Sequence, residues 1–218
     1  LKKNANIFIV QSLSMCNLLK NKLNIKSENV LISPFIHKSF FKDKEIFHNQ
    51  NYSLTKKYDF VYVASGEPHK NHVMLIDAWC LLAKENLYPS LCLTLHNNDY
   101  NILKSNISKK KLSQNLSIIN LGHLDKNDVK ALYLDSSALI YPSLLESYGL
   151  PLIEASSFGL PILASELDYV RDSVNPVQTF DPNSAHSISR AVKRFLGIPE
   201  RKIRVLDGSS FISKLYTN

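Results

Sequence analysis

Glu146 and Glu154 stand with seven residues between them, at a point where an apolar run gives way to a helix. The run Ser137-Ala138-Leu139-Ile140-Tyr141 is closed by Pro142 and Ser143 and reads as a strand. The helix opens at Gly149-Leu150-Pro151, with proline where a first turn tolerates a missing N–H. The unpaired N–H groups and positive dipole end of such a helix form an anion site, so the backbone of Tyr148, Gly149 and Leu150 suits a phosphate. Glu154 falls just past that first turn, where a carboxylate can accept two hydrogen bonds from a vicinal diol such as a ribose. Glu146 lies in the loop before the helix and can face a second polar group. A phosphate site flanked by two carboxylates fits a nucleotide joined to a sugar.

The surrounding residues carry a pattern. Pro142-Ser143 is followed by Glu146-Ser147-Tyr148-Gly149-Leu150-Pro151-Leu152-Ile153-Glu154-Ala155, then by Gly159-Leu160-Pro161, Tyr169-Val170-Arg171-Asp172 and Phe180-Asp181-Pro182. Upstream stand Glu67-Pro68-His69-Lys70-Asn71 and Leu75-Ile76-Asp77-Ala78-Trp79. In order and spacing this set, over about residues 58–196, resembles the donor-binding half of the retaining GT-B glycosyltransferases of the family 4 type. The resemblance implies an α/β fold, a Rossmann-like doubly wound parallel sheet forming the C-terminal half of a GT-B enzyme. It implies transfer of a hexosyl sugar, with retention, from a nucleotide-diphosphate donor to a hydroxyl on a glycan or lipid-linked acceptor, in polysaccharide or glycoconjugate synthesis. It assigns Glu146 and Lys70 to catalysis. Donor contacts fall to Lys70, Tyr148, Gly149, Leu150, Glu154 and His123, and no metal or cofactor is expected beyond the nucleotide sugar itself.

One departure stands out. Where much of the family has Gly-Arg before the lysine loop, this chain has Val63-Ala64. The diphosphate clamp then rests on Lys70 and backbone N–H groups or borrows a cation, with Arg171 and His69 as candidates. Two rival readings share the architecture: a nucleotide-sugar epimerase, and a nucleotide-sugar-binding module without catalysis.

The chain has 218 residues, 44% hydrophobic and 21% charged, which suits a globular fold and argues against disorder. Its first residue is leucine, which reads as a piece of a longer protein. Three cysteines without a Cys-x-x-Cys pair fit a reducing, cytoplasmic setting and argue against zinc. The net charge of +7 lies wholly in residues 1–57, with ten Lys and three acids; residues 58–218 balance sixteen against sixteen. Such an arm could dock peripherally on the inner face of a membrane, each lysine adding about 1 kcal/mol. No amphipathic helix organises those lysines, so a solvated surface is the simpler reading. Nucleic acid is disfavoured, because the arm has no arginine. A Gly-x-Gly-x-x-Gly after a strand and a Gly-x-x-x-x-Gly-Lys-Ser/Thr are both missing, which disfavours nicotinamide and P-loop chemistry.

Apolar periodicity places these motifs. Residues 6–10 read as a buried strand, 13–23 as a helix with Leu18, Leu19 and Leu23 on one face, and 29–33 as a second strand. Strands are expected at 59–64, 91–95, 117–121, 138–141 and 161–164. Helices are expected at 71–84 (Val73, Leu75, Ile76 and Trp79 inward), 125–134 (Asp125 as cap), 150–158 and 183–196. The alternation predicts a parallel sheet with its ligand loops at the carboxyl edge. The organisation expected is residues 1–35 as the end of an acceptor-side domain, 36–57 as linker, 58–200 as the nucleotide-sugar domain and 201–218 as a helical tail.

Overall fold

The computed structural model describes residues 5–35, 56–96, 99–200 and 205–216. Most of the expected linker therefore lies outside the described residues. The described elements begin with β1 (Phe8–Val10), α1 (Leu13–Leu23) and β2 (Val30–Ile32). β1 and β2 form a two-stranded parallel sheet with Phe8 opposite Val30 and Val10 opposite Ile32. Ser12 caps α1, its hydroxyl accepting from the Met15 N–H. The expectation of a buried strand fails here, with Ile9 67% exposed; of the leucines read on one face of α1, Leu18 and Leu23 are exposed, and within α1 only Cys16 is buried.

The remaining elements run β3 (Tyr58–Tyr62), α2 (His72–Lys84), β4 (Leu91–Leu93), α3 (Asn101–Gln114), β5 (Ile118–Asn120), α4 (Lys126–Leu134) and β6 (Ser136–Tyr141). They continue as α5 (Leu150–Ser157), β7 (Ile162–Ser165), α6 (Asp168–Arg171), β8 (Gln178–Phe180), α7 (Ala185–Phe195) and α8 (Gly208–Tyr216). Six strands pair in parallel in the order β5-β4-β3-β6-β7-β8. Phe60 lies opposite Leu91 on one side and Ala138 on the other. Strands covered on both faces should be apolar almost throughout, and Phe60, Val61, Leu91, Cys92, Leu93, Ala138, Leu139, Ile140 and Leu163 are fully buried. Each such large side chain adds about 1.5–3 kcal/mol of hydrophobic stabilisation. Trp79 of α2 meets Phe60 edge-on at 5.6 Å and donates its indole N–H to the Pro89 carbonyl at 2.8 Å. α2 also packs on α7, whose Ile188, Ala191 and Val192 are fully buried.

From β3 the chain winds outward through β4 to β5, then returns to β6 and winds the other way. The strand order reverses between β3 and β6, and in an open α/β sheet ligands bind in the crevice beyond the carboxyl ends there. The Lys70 loop follows β3 and the Glu146 loop follows β6, so topology brings together two segments some 76 residues apart. Val73, expected inward, is 56% exposed. Helix α3 and strand β8 are additions that periodicity does not reveal: α3 is lysine- and asparagine-rich and buries only Ile107.

Candidate functional site

After β3 the chain runs through Val63–Glu67 into a 3-10 turn, Pro68–Lys70, and then Asn71 at φ 62°. Lys70 therefore ends a turn ahead of α2 instead of opening the helix. Asparagine tolerates the left-handed region, and here its side chain also ties loops together. Asn71 Nδ2 donates to the Pro142 carbonyl at 3.1 Å and to that of Pro182 at 2.8 Å, joining the loops after β3, β6 and β8. The Lys70 carbonyl accepts from the Tyr62 hydroxyl at 2.6 Å. Burial, reinforced by the nearby Glu146 charge, holds the Tyr62 pKa well above its ordinary value, so it stays a neutral donor.

The Lys70 ammonium lies 2.7 Å from Glu146 Oε1 and 2.9 Å from Oε2. Glu146 Oε1 also accepts from the Tyr141 hydroxyl at 2.9 Å and the Ser143 hydroxyl at 2.7 Å. The Lys70 and Glu146 side chains are only 16% and 11% exposed. Glu146 is thus held by donors from two elements, and Lys70 has a partner within the protein before any diphosphate arrives. Behind them the Ser143 carbonyl accepts from Tyr169 at 2.8 Å and from Ser165 at 3.0 Å. The Tyr141 and Tyr169 pKa values are both raised, first by burial and then by Glu146.

Helix α5 begins beside this pair. Gly149 has φ 72°, and a Cβ there would sit 3.0 Å from Leu152 Cδ1, so glycine answers a positive φ and a close side chain together. The Leu152 N–H already bonds to the Gly149 carbonyl at 2.9 Å. The Leu150 N–H stands in the first turn, where no intrahelical acceptor exists. Tyr148 is fixed through its carbonyl, which accepts from Ser173 at 2.9 Å. Glu154 is half-buried against α4, accepting from the buried Tyr133 hydroxyl at 3.3 Å. Burial raises its pKa.

A cavity of about 340 Å³ opens at the carboxyl edge. Among its walls are Ala64, Lys70, His96, His123, Tyr141 and Pro151. Lys70 and His123 are therefore brought together, with Pro151 from the first turn of α5; Gly149 and Leu150 are not among the lining residues. Tyr148 lines a different cavity, of about 300 Å³, with Ser12, Leu13 and Asp172. That second cleft separates α1 from α5 and α6, and is bridged by Ser12 Oγ to the Ser147 carbonyl (3.1 Å) and the Ser14 N–H to Asp172 (2.7 Å). Neither cavity has Glu154 among its lining residues. Of the two substitute cations, Arg171 is committed to Glu166 through Nε at 2.7 Å. His69 is exposed and contributes its carbonyl, to the Leu144 N–H at 2.8 Å. Tyr141, Ser143, Asn71, Tyr133 and His96 receive no site role from the sequence, where nothing in residue type or spacing says what they touch.

Among the described residues, no group of three or more His, Cys, Asp or Glu could hold a metal ion, and no helix is long and apolar enough to cross a membrane. The buried His72 ring has no hydrogen-bond partner, and burial depresses its pKa to about 4.

The chain is 28% identical over 150 residues to the O-antigen chain mannosyltransferase B of Escherichia coli, covering 67% of this chain and 39% of that protein. It is 26% identical over 181 residues to the O-antigen chain mannosyltransferase RfbU of Salmonella typhimurium, covering 81% and 47%. It thus spans less than half the length of both. Among solved structures, a glycosyltransferase from Rickettsia africae superposes with a TM-score of 0.70 at 14% identity, over 88% of this chain and 54% of that one. Anabaena HepE in complex with UDP and glucose gives 0.66 at 15% identity over the same shares. These neighbours are GT-B glycosyltransferases, and the sheet described above corresponds to the Rossmann-like C-terminal half of that fold. The model for "Glycosyl transferases group 1" matches residues 43–205, most of the chain, and the chain belongs to that family.

Proposed function

We propose that the chain is the donor-binding half of a retaining, family 4 type glycosyltransferase that moves a hexosyl unit from a nucleotide diphosphate to a hydroxyl acceptor in polysaccharide or glycoconjugate synthesis. The observation that carries it is the meeting of Lys70 with the first turn of α5 across the β3/β6 crevice, around one cavity. The O-antigen mannosyltransferase relatives support the polymer context. As the glycosidic bond breaks, charge grows on the departing diphosphate. Lys70 and the Gly149 and Leu150 N–H groups stabilise that charge, and preorganised donors of this kind usually dominate rate enhancement. Glu146 keeps the ammonium in place through both oxygens, and Oε2, with fewer protein donors than Oε1, faces the sugar. Glu154 takes the ribose diol, exchanging its single Tyr133 bond for better partners. The acceptor, glycan or lipid-linked, is bound by the rest of the protein, and no metal takes part.

Saturation-transfer NMR on this chain with UDP, GDP and ADP sugars tests the reading. Saturation of both nucleotide and sugar protons, lost in Lys70→Ala, is the expected result; no transfer from any donor would refute it. A second reading, a binding module without turnover, is favoured by Val63-Ala64, since Ala64 lines the cavity where an arginine is otherwise expected. Turnover by the whole protein with its donor decides between them.

A further inference from the structure

The small side chains at Val63 and Ala64 leave one wall of the Lys70 cavity without a fixed cation. Two imidazoles line the same cavity: His96, just beyond the end of β4, and His123, just beyond the end of β5. Their ring centroids are 5.7 Å apart. The strand ends hold them side by side, because the Asn120 side chain accepts from the Leu95 N–H at 2.8 Å and donates to the Leu95 carbonyl at 3.0 Å. Ala64 is tied to the same edge, its N–H donating to Thr94 Oγ1 at 3.2 Å. Asp99 Oδ2 lies 3.3 Å from His96 Nδ1.

We propose that His96, with His123 beside it, supplies the second cation of the donor-diphosphate site, an imidazolium doing what Ala64 cannot. The inference rests on the donor-site reading above. Lys70, paired with Glu146, lines the same cavity, Lys104 of α3 donates from Nζ to the His96 carbonyl at 3.2 Å, and Asp125 and Lys126 begin α4 just past His123. Imidazole is the side chain whose ordinary titration falls nearest neutral pH, at about 6.5. Donor binding therefore becomes proton-linked. The protonated ring attracts the diphosphate and the bound diphosphate retains the proton, so affinity is full at low pH and falls as pH rises through the imidazole range. An arginine in the usual place would confer no such dependence.

Calorimetry on the full chain with UDP-glucose and GDP-mannose tests this, because their diphosphate diesters do not titrate between about pH 5.5 and 8.5, and the matching nucleosides serve as controls. The donor that binds should do so roughly tenfold tighter at the acid end, the worth of one hydrogen bond to a charged group, with the nucleoside unaffected. His96→Gln should flatten the profile, and His123→Gln should make it shallower. Lys70→Ala should weaken donor binding at every pH and keep the slope. A flat wild-type profile with the Lys70 effect intact overturns the histidine assignment alone, as does an unchanged slope in His96→Gln. Loss of the Lys70 effect overturns the donor-site reading instead.

Discussion

Glu146→Gln removes one charge from the Lys70–Glu146 pair and changes almost nothing in shape. At an N···O distance of 2.7 Å and an effective dielectric of about 20, the Coulomb attraction is roughly 6 kcal/mol. Desolvation of both groups offsets much of that, which is why an intact buried pair adds little net stability while breaking one commonly costs about 3–5 kcal/mol. With side chains 16% and 11% exposed, the pair retains some water, and the expected loss is about 2–4 kcal/mol. Removing both charges, as Lys70→Met with Glu146→Gln, should recover a large part of it, because no uncompensated ammonium remains. Urea unfolding of the four proteins in the cycle gives the coupling directly. The nucleoside diphosphate should bind Glu146→Gln no more weakly than wild type, the ammonium having lost its competing carboxylate. A loss below about 0.5 kcal/mol, with the two single changes adding, is what a solvated surface pair would give. That result would refute the role of Glu146 as the group that holds Lys70.

Lys70→Ala should lower affinity for a nucleoside diphosphate far more than for the nucleoside, and added salt should narrow the gap; equal losses in calorimetry would place Lys70 outside the phosphate site. Glu154→Ala should weaken nucleotide binding by roughly 1.5–3 kcal/mol, and unchanged affinity would remove the ribose assignment. Burial raises the Glu154 pKa above its ordinary 4.5, so its contribution favours the fold below that value and is lost as pH rises through the raised one. Glu154→Gln should therefore raise the melting temperature of the ligand-free chain near neutral pH, with the gain vanishing in acid; a gain independent of pH would contradict the burial argument. Gly149→Ala meets a φ of 72° and a Leu152 contact at 3.0 Å and should cost roughly 1–2 kcal/mol in urea unfolding, whereas a neutral change would show that the α5 turn relaxes freely.

Much of the architecture is legible along the chain because it rests on local signals. The runs read as strands at 59–64, 91–95 and 138–141 form β3, β4 and β6, and their largely apolar side chains are buried, as strands covered on both faces require. Asp125 caps α4 as expected, accepting from the Asn127 and Asp128 N–H groups at 2.8 and 2.9 Å. The Gly149-Leu150-Pro151 helix start has the same local origin. Periodicity misses α3, whose many lysines and asparagines give no apolar stripe, and it mistakes β1 for a buried strand because apolar composition does not say what covers it. Glu146 and Glu154 can be singled out from residue types and spacing, and the family resemblance adds Lys70 and His123. What each one touches is another matter. Glu146 reads as a loop carboxylate able to face a second polar group; strand β6 and the loop beyond it deliver Tyr141 and Ser143 to one of its oxygens, and the turn after β3 delivers Lys70 to both. Asn71 reads as the start of a helix and proves to bridge three loops. Local sequence determines which segments become strands, turns and helix starts, because those choices depend on propensity and hydrophobic period over a few residues. Only the winding of the sheet decides that Ala64, His96 and His123 share one cavity with Lys70, because strand order brings together loops that the chain keeps far apart.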